Sequence, residues 1–262
     1  MFGWAVTLLG YAAATMMLAP VVLAGRTWSY RYPRAALVGW LVSLGTGVAA
    51  LVASLGLLIA RTLSVAAAPT RTGEARDSTV VANVAIFVLS WVLCAAVGGL
   101  ISLALYRAVP LLRSNHRVRR SLAEHYLQHG ALCLVAGTPV VIAPGTSSVA
   151  MTIPGNGGLI VVSSELIAAL TAPELGAIVA HEDAHRRHGH FLLMELACVH
   201  RLCVPAFPSA RAFERSIAVL IELAADDHAA RRCGRRTTAA ALSRVGRLRE
   251  DESFTLRAAR LV

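Results

Sequence analysis

Two histidines with a glutamate between them carry the strongest chemical signal in the chain: His181-Glu182-Asp183-Ala184-His185. On a helix, four residues turn through roughly 400°, so the imidazoles of His181 and His185 point the same way, one turn apart, and can ligate one metal ion. Glu182 falls roughly 100° round from His181, within reach of a metal-bound water without filling a coordination position. A catalytic zinc site uses three protein ligands and leaves the fourth position to water. The expected third ligand is Glu222, in Ile221-Glu222-Leu223-Ala224-Ala225-Asp226, because an unpaired carboxylate on so apolar a helix is costly. Asp226, one turn further along the same face, is placed to accept from the outer nitrogen of a ligand histidine, fixing its tautomer and raising its basicity. The pattern predicts metal-assisted hydrolysis: Zn2+ as cofactor, His181, His185 and Glu222 as ligands, and Glu182 as the base.

These side chains need elements to hold them. Thr171-Ala172-Pro173-Glu174 reads as a capping box, with Thr at the N-cap, Pro in the first turn and Glu at N3. The helix it starts buries Leu175, Ile178 and Val179 and runs through His185 towards Gly189. The helix carrying Glu222 is expected to begin near Arg215. Upstream, residues 138–142, 148–153 and 159–162 read as short strands, separated by Pro144-Gly145 and by the turn Pro154-Gly155-Asn156-Gly157-Gly158. Ser164 is expected to cap a short helix through Leu170. Ala150 to Ile153 is the expected sheet edge for pairing with an extended peptide. His188, His190, Asp227 and His228 read as solvated, as do His116, His125 and His129. Residues 191–213, with Glu195 and His200, read as a helical hairpin lying on the membrane or slightly in it.

That membrane follows from composition. The 262 residues are 56% hydrophobic and only 15% charged, with mean hydropathy +0.61. Such a chain is neither disordered nor an ordinary soluble globule. Three uncharged stretches, with spans expected at about 3–25, 35–60 and 80–106, are each long enough to cross a bilayer, and they make residues 1–106 a transmembrane region. Arg26, Arg31 and Arg34 follow the first, a mixed loop from Arg61 follows the second, and Arg107, Arg113, Arg117, Arg119 and Arg120 follow the third. The positive-inside rule then puts the N-terminus outside and residues 107–262 in the cytoplasm. The spans carry no Asp, Glu, Arg or His, so nothing in them resembles an ion pathway. All 25 basic residues are Arg, and the formal charge of +10 reads as anchorage to an anionic lipid face. Without interleaved aromatics it does not point to nucleic acid. Five scattered cysteines, with no Cys-x-x-Cys pair, read as buried or lipid-facing thiols in a reducing compartment. Residues 107–130 read as a basic entry helix along the membrane face. The fold class expected is a mostly α membrane protein: three N-terminal transmembrane helices, then a cytoplasmic α+β zinc-peptidase domain over 107–262.

The runs Ile160-Val161-Val162-Ser163-Ser164-Glu165-Leu166, Thr171 to Leu175, His181 to Arg187, Ala206-Phe207-Pro208 and Glu222 to Asp226 resemble the membrane-embedded M56 peptidases, the family of the BlaR1 and MecR1 antibiotic sensors. With the three preceding spans the resemblance covers residues 1–245. Glu222-x-x-x-Asp226 is shared with HtpX-type membrane peptidases of the same clan, which are expected to have two spans before the zinc helix. The resemblance implies the same ligands, His181, His185 and Glu222, with Glu182 as base, in a multi-pass protein of the bacterial cell membrane. It implies a protein or peptide substrate, such as a cytoplasmic repressor of the BlaI type; the alternatives are HtpX-like degradation of damaged membrane proteins and a non-catalytic membrane adaptor. Sensor members continue into a further span and an extracellular penicillin-binding domain. Neither precedes Val262, so a membrane sensor subunit or a second copy of the chain is the expected partner.

Overall fold

Residues 2–66, 76–145, 149–155, 157–205 and 208–262 are described by the computed structural model of the chain. Three of its helices have the length and hydropathy to cross a membrane. They are α1 (Phe2–Leu23), α3 (Pro33–Ala66), which follows the short α2 (Thr27–Arg31), and the first part of α4 (Arg76–His129). With no water among apolar side chains, polar groups here satisfy one another. The buried Ser54 of α3 donates to the Ala5 carbonyl of α1 at 2.8 Å, and Tyr11 donates to Thr46 at 3.1 Å. Gly47 brings the two helices close, since a Cβ there would stand 2.9 Å from Thr15 Oγ1.

The helix that carries the third apolar stretch does not end with it at residue 106. It continues without a break into the expected entry helix, giving one helix of 54 residues, roughly 80 Å long. The boundary expected at 106/107 therefore falls inside α4, and Pro110 does not stop it.

Beyond α4 come four strands: β1 (Ala131–Val135), β2 (Thr138–Ala143), β3 (Ala150–Ile153) and β4 (Leu159–Ser163), ordered β1-β2-β4-β3. β2 and β4 run parallel, and the other two pairs are antiparallel. β1 is an addition to the sequence reading. Its hairpin to β2 turns on Ala136 and Gly137, at φ 49° and 76°, a mirror-image two-residue turn that usually announces itself as Asn-Gly or Asp-Gly. β3 is an edge strand, as expected of it, with β1 at the opposite edge; Ser148, in the expected strand, lies outside the described residues. Ser163 rather than Ser164 caps α5 (Ser164–Ala169), its hydroxyl accepting from the Leu166 N–H. The five cysteines are unpaired and half-buried.

Six helices follow the sheet among the described residues: α5, α6 (Ala172–Arg187), α7 (His190–Cys203), α8 (Pro208–Cys233), α9 (Arg235–Arg249) and α10 (Glu252–Leu261). One core joins the sheet to α6 and α9 through Val140, Ile160, Val162, Ile178, Val179 and Val245. A second joins α8 to the apolar helices, with Phe213, Ile217, Leu220 and Ile221 packed on Leu23, Leu37 and Trp40. α8 starts at Pro208, a full two turns before the expected Arg215, and is the beam between the two cores. α7 and the first half of α8 form the expected hairpin, tied to α4 by the Arg119–Glu195 pair.

Gly130 makes the junction of α4 and β1 possible. A Cβ there would stand 2.6 Å from the Tyr126 carbonyl oxygen and 2.9 Å from that of Ile142. Because both obstacles are backbone, Gly130→Ala is expected to destabilise the chain by about 1–3 kcal/mol, read as a lowered thermal midpoint in detergent.

Candidate metal centre

The expected capping box starts α6: Thr171 is its N-cap, and the Glu174 carboxylate accepts from the Thr171 N–H at 2.9 Å and its hydroxyl at 2.8 Å. Fifteen residues after Glu174, the polypeptide passes through Gly189 at φ 60°, left-handed backbone that ends α6 and admits α7. Between these limits His181 and His185 face α8. Their Nε2 atoms lie 3.0 Å apart. Glu222 Oε2 is 3.4 Å from His181 Nε2, and Oε1 is 3.4 Å from His185 Nε2.

One ligand atom from each of the three residues lies within 4.8 Å of the others. A tetrahedral zinc with bonds of ~2.0–2.1 Å spaces its ligand atoms about 3.3 Å apart. The observed separations match that edge length, and two imidazoles with one carboxylate suit zinc's borderline character. The residues present fit the metal.

The surroundings set the protonation of these groups. Burial alone would depress His181, but hydrogen bonding and charge from Asp226 and Glu222 overcome it and lift it to about 9. Burial, then the His181 charge, pushes His185 down to about 4. Burial would raise Glu222, but the hydrogen bond and charge of His181, with Arg257 and His185, bring it to about 2. His185 is therefore neutral and Glu222 ionised, while His181 holds a proton that a bound metal would displace.

Asp226 stands behind His181, with Oδ1 3.0 Å from its Nδ1, on the side away from the ligand atom. From the sequence, Asp226 was expected to face the outer nitrogen of a ligand histidine. Two partners were not expected. Arg257 of α10 donates to both Asp226 oxygens, at 2.8 and 2.7 Å, and lies 3.0 Å from Glu222 Oε2. His190, expected in solvent, is 4% exposed, with Nδ1 3.0 Å from His185 Nδ1. Burial, then the charges of His185 and His188, lowers it to about 3, which keeps it neutral. Asp227 is also paired rather than solvated, accepting from Arg260 at 2.6 Å. The middle residue of the motif, Asp183, is fully buried and accepts from Arg186, Arg187 and Arg232, pinning α6 to α8.

Glu182 does not join the ligand cluster. The Thr152 hydroxyl of β3 lies 2.9 Å from its Oε2 and 2.8 Å from its carbonyl oxygen, tying the edge strand to α6. Burial raises the Glu182 pKa, with His181 and the Thr152 hydrogen bond pulling the other way. His181, Glu182, His185 and Glu222 line one cleft of about 350 Å³ with Ala150, Met151 and Thr152 of the edge strand.

The ligand set predicts zinc contents that elemental analysis of purified protein can check. Wild type and Glu182→Gln are expected to hold about one zinc per chain, and Glu222→Ala to lose it. Asp226→Ala is expected to weaken zinc binding by about 10–100-fold, the usual cost of removing a group that orients a ligand.

Residues 138–225 match the profile of Peptidase family M48, about a third of the chain. No curated protein and no solved structure matches. The matched stretch runs from β2 to α8, holds His181, Glu182, His185 and Glu222, and stops one residue short of Asp226. It supports a metallopeptidase, and does not single out the M56 family that the residue runs resemble.

Proposed function

We propose that the chain is a zinc-dependent endopeptidase anchored in the membrane by α1, α3 and the first part of α4, cleaving protein segments at the cytoplasmic face. The observation that carries this reading is the convergence of a three-ligand cluster, a spare buried carboxylate and an open strand edge in one cleft. An adaptor with a structural zinc has no use for the spare carboxylate.

When bound, zinc supplies a polarised carbonyl and a water acidic enough to ionise near neutral pH. The chain does the rest. β3 pairs with the extended substrate backbone and sets its register. Glu182, one turn-step from His181 and steadied by Thr152, takes the proton of the attacking water and returns it to the leaving amine. His190 and Asp226 hold the two ligand imidazoles from behind.

The likeness to family M48 supports broad cleavage of unfolded membrane-protein segments, as in the HtpX-type reading. The M56 resemblance supports processing of a single repressor of the BlaI type. Proteins retained on Glu182→Gln in cells, identified by mass spectrometry, separate them: many unfolded membrane proteins favour the first, and one soluble repressor favours the second. If Glu182→Gln is silent in cells while His181→Ala is not, the adaptor reading stands instead.

Glu182→Gln is expected to lower peptide hydrolysis by about 10²–10⁴-fold, the usual share of a general base. Glu182 works only as a carboxylate, and burial raises its pKa, so the rate falls as pH drops through a value above the ordinary carboxylate range. Thr152→Val removes a hydrogen bond that favours the carboxylate and is expected to move this acid limb to higher pH. An unmoved limb in the pH–rate profile would contradict the Glu182 assignment.

A further inference from the structure

Outside the candidate metal centre, four buried side-chain polar atoms have no hydrogen-bond partner among the described residues: Arg260 Nε, and three whose residues line a common hollow, Trp40 Nε1, His200 Nδ1 and Ser209 Oγ. The hollow, about 240 Å³, lies between α1, α3 and the tip of the α7–α8 hairpin, with Phe213 5.2 Å from both the Trp40 and the His200 ring. Its remaining walls are almost wholly apolar, including Leu9, Leu44, Val48 and Leu51, and it borders the outward-facing Met17 and Val48, which are 69% and 53% exposed. Thr15, which also lines it, already donates to the Ala12 carbonyl.

An indole N–H has no use except donation, and leaving it and a hydroxyl unpaired against hydrocarbon is costly. Phe213 joins the Trp40 and His200 rings, and Ser209 lies about one turn before Phe213 on α8. Trp40 is roughly 10 Å along α3 from its start at Pro33, next to the basic loop, while the apolar wall runs to Leu51, about 16 Å deeper. A polar end near the charged loop and an apolar channel leading away from it is the shape of a lipid chain hanging from its ester. We propose that this hollow is a binding site for one acyl chain of a membrane phospholipid, with an ester oxygen accepting from Trp40 and Ser209. This goes beyond the peptidase reading and rests only on α1 and α3 standing in a bilayer. The chain would also fill the space beside Phe213, nine residues before the ligand Glu222 on the same helix.

Full-length protein in phosphatidylethanolamine–phosphatidylglycerol vesicles, doped with a phospholipid carrying a diazirine in its acyl chain, tests this. After irradiation, adducts mapped by mass spectrometry are expected to concentrate in residues 9–19, 40–51 and 200–213. Trp40→Phe and Ser209→Ala are each expected to cut those adducts about fivefold, the worth of one hydrogen bond. Ser43→Leu, which fills the hollow, is expected to abolish them, while adducts on the outward face of α4 at Val92 and Leu103 stay unchanged. Bound zinc reports that each variant is folded, and the wild-type map decides without variants if they are not. Adducts spread evenly over α1, α3 and α4, adducts absent from the hollow, or adducts indifferent to all three substitutions in folded protein would overturn the proposal.

Discussion

A carboxylate with no exposure to solvent organises the candidate metal centre. Asp226 sits inside α8, takes two hydrogen bonds from Arg257 and faces His181 Nδ1 across 3.0 Å. An isolated charge so placed would cost several kcal/mol, so the residues around it are bound together by the need to compensate it. α10 must dock to bring Arg257, α6 must turn His181 inward, and both must meet α8 at one height. Glu222 then falls a turn away, shared between the imidazoles and Arg257. The opposing pulls on the pKa values of His181 and Glu222 come from this one arrangement.

A second buried acid does the same for the far end of α6. Asp183 is held by three arginines, one of them Arg232 on α8, so the motif helix is fixed to α8 at Asp183 as well as at His181. α8 in turn is packed on α1 and α3 through Phe213, Ile217 and Leu220. The metal centre and the apolar helices thus share one rigid element. The loop over residues 24–32 lies at that same end, where Arg260 of α10 donates to the Tyr30 carbonyl.

How much of this was legible in the sequence depended on the range of the signal. The capping box, the motif helix and the Glu222–Asp226 pair are written in spacings of three or four residues on single helices, and the folded chain brings them together. Three uncharged runs announced three long apolar helices and the Arg-rich run an entry helix, though not that the third and the entry helix are one, because an Arg-rich segment is as good a helix as an apolar one. β1 was missed because its turn uses Ala-Gly. Arg257 and His190 carry no local signal at all: one is 31 residues from the acid it binds, and the other is an ordinary post-helix histidine until α7 folds back over His185.

Zinc-edge X-ray absorption on the full chain in detergent tests the central claim most directly. The account predicts one zinc with two imidazole nitrogens and two oxygens at ~2.0–2.1 Å, the second oxygen being water. One oxygen or nitrogen neighbour should be lost from that shell in Glu222→Ala wherever zinc is retained. Sulfur in the first shell, an unchanged shell in Glu222→Ala, or no zinc in folded wild type would contradict it.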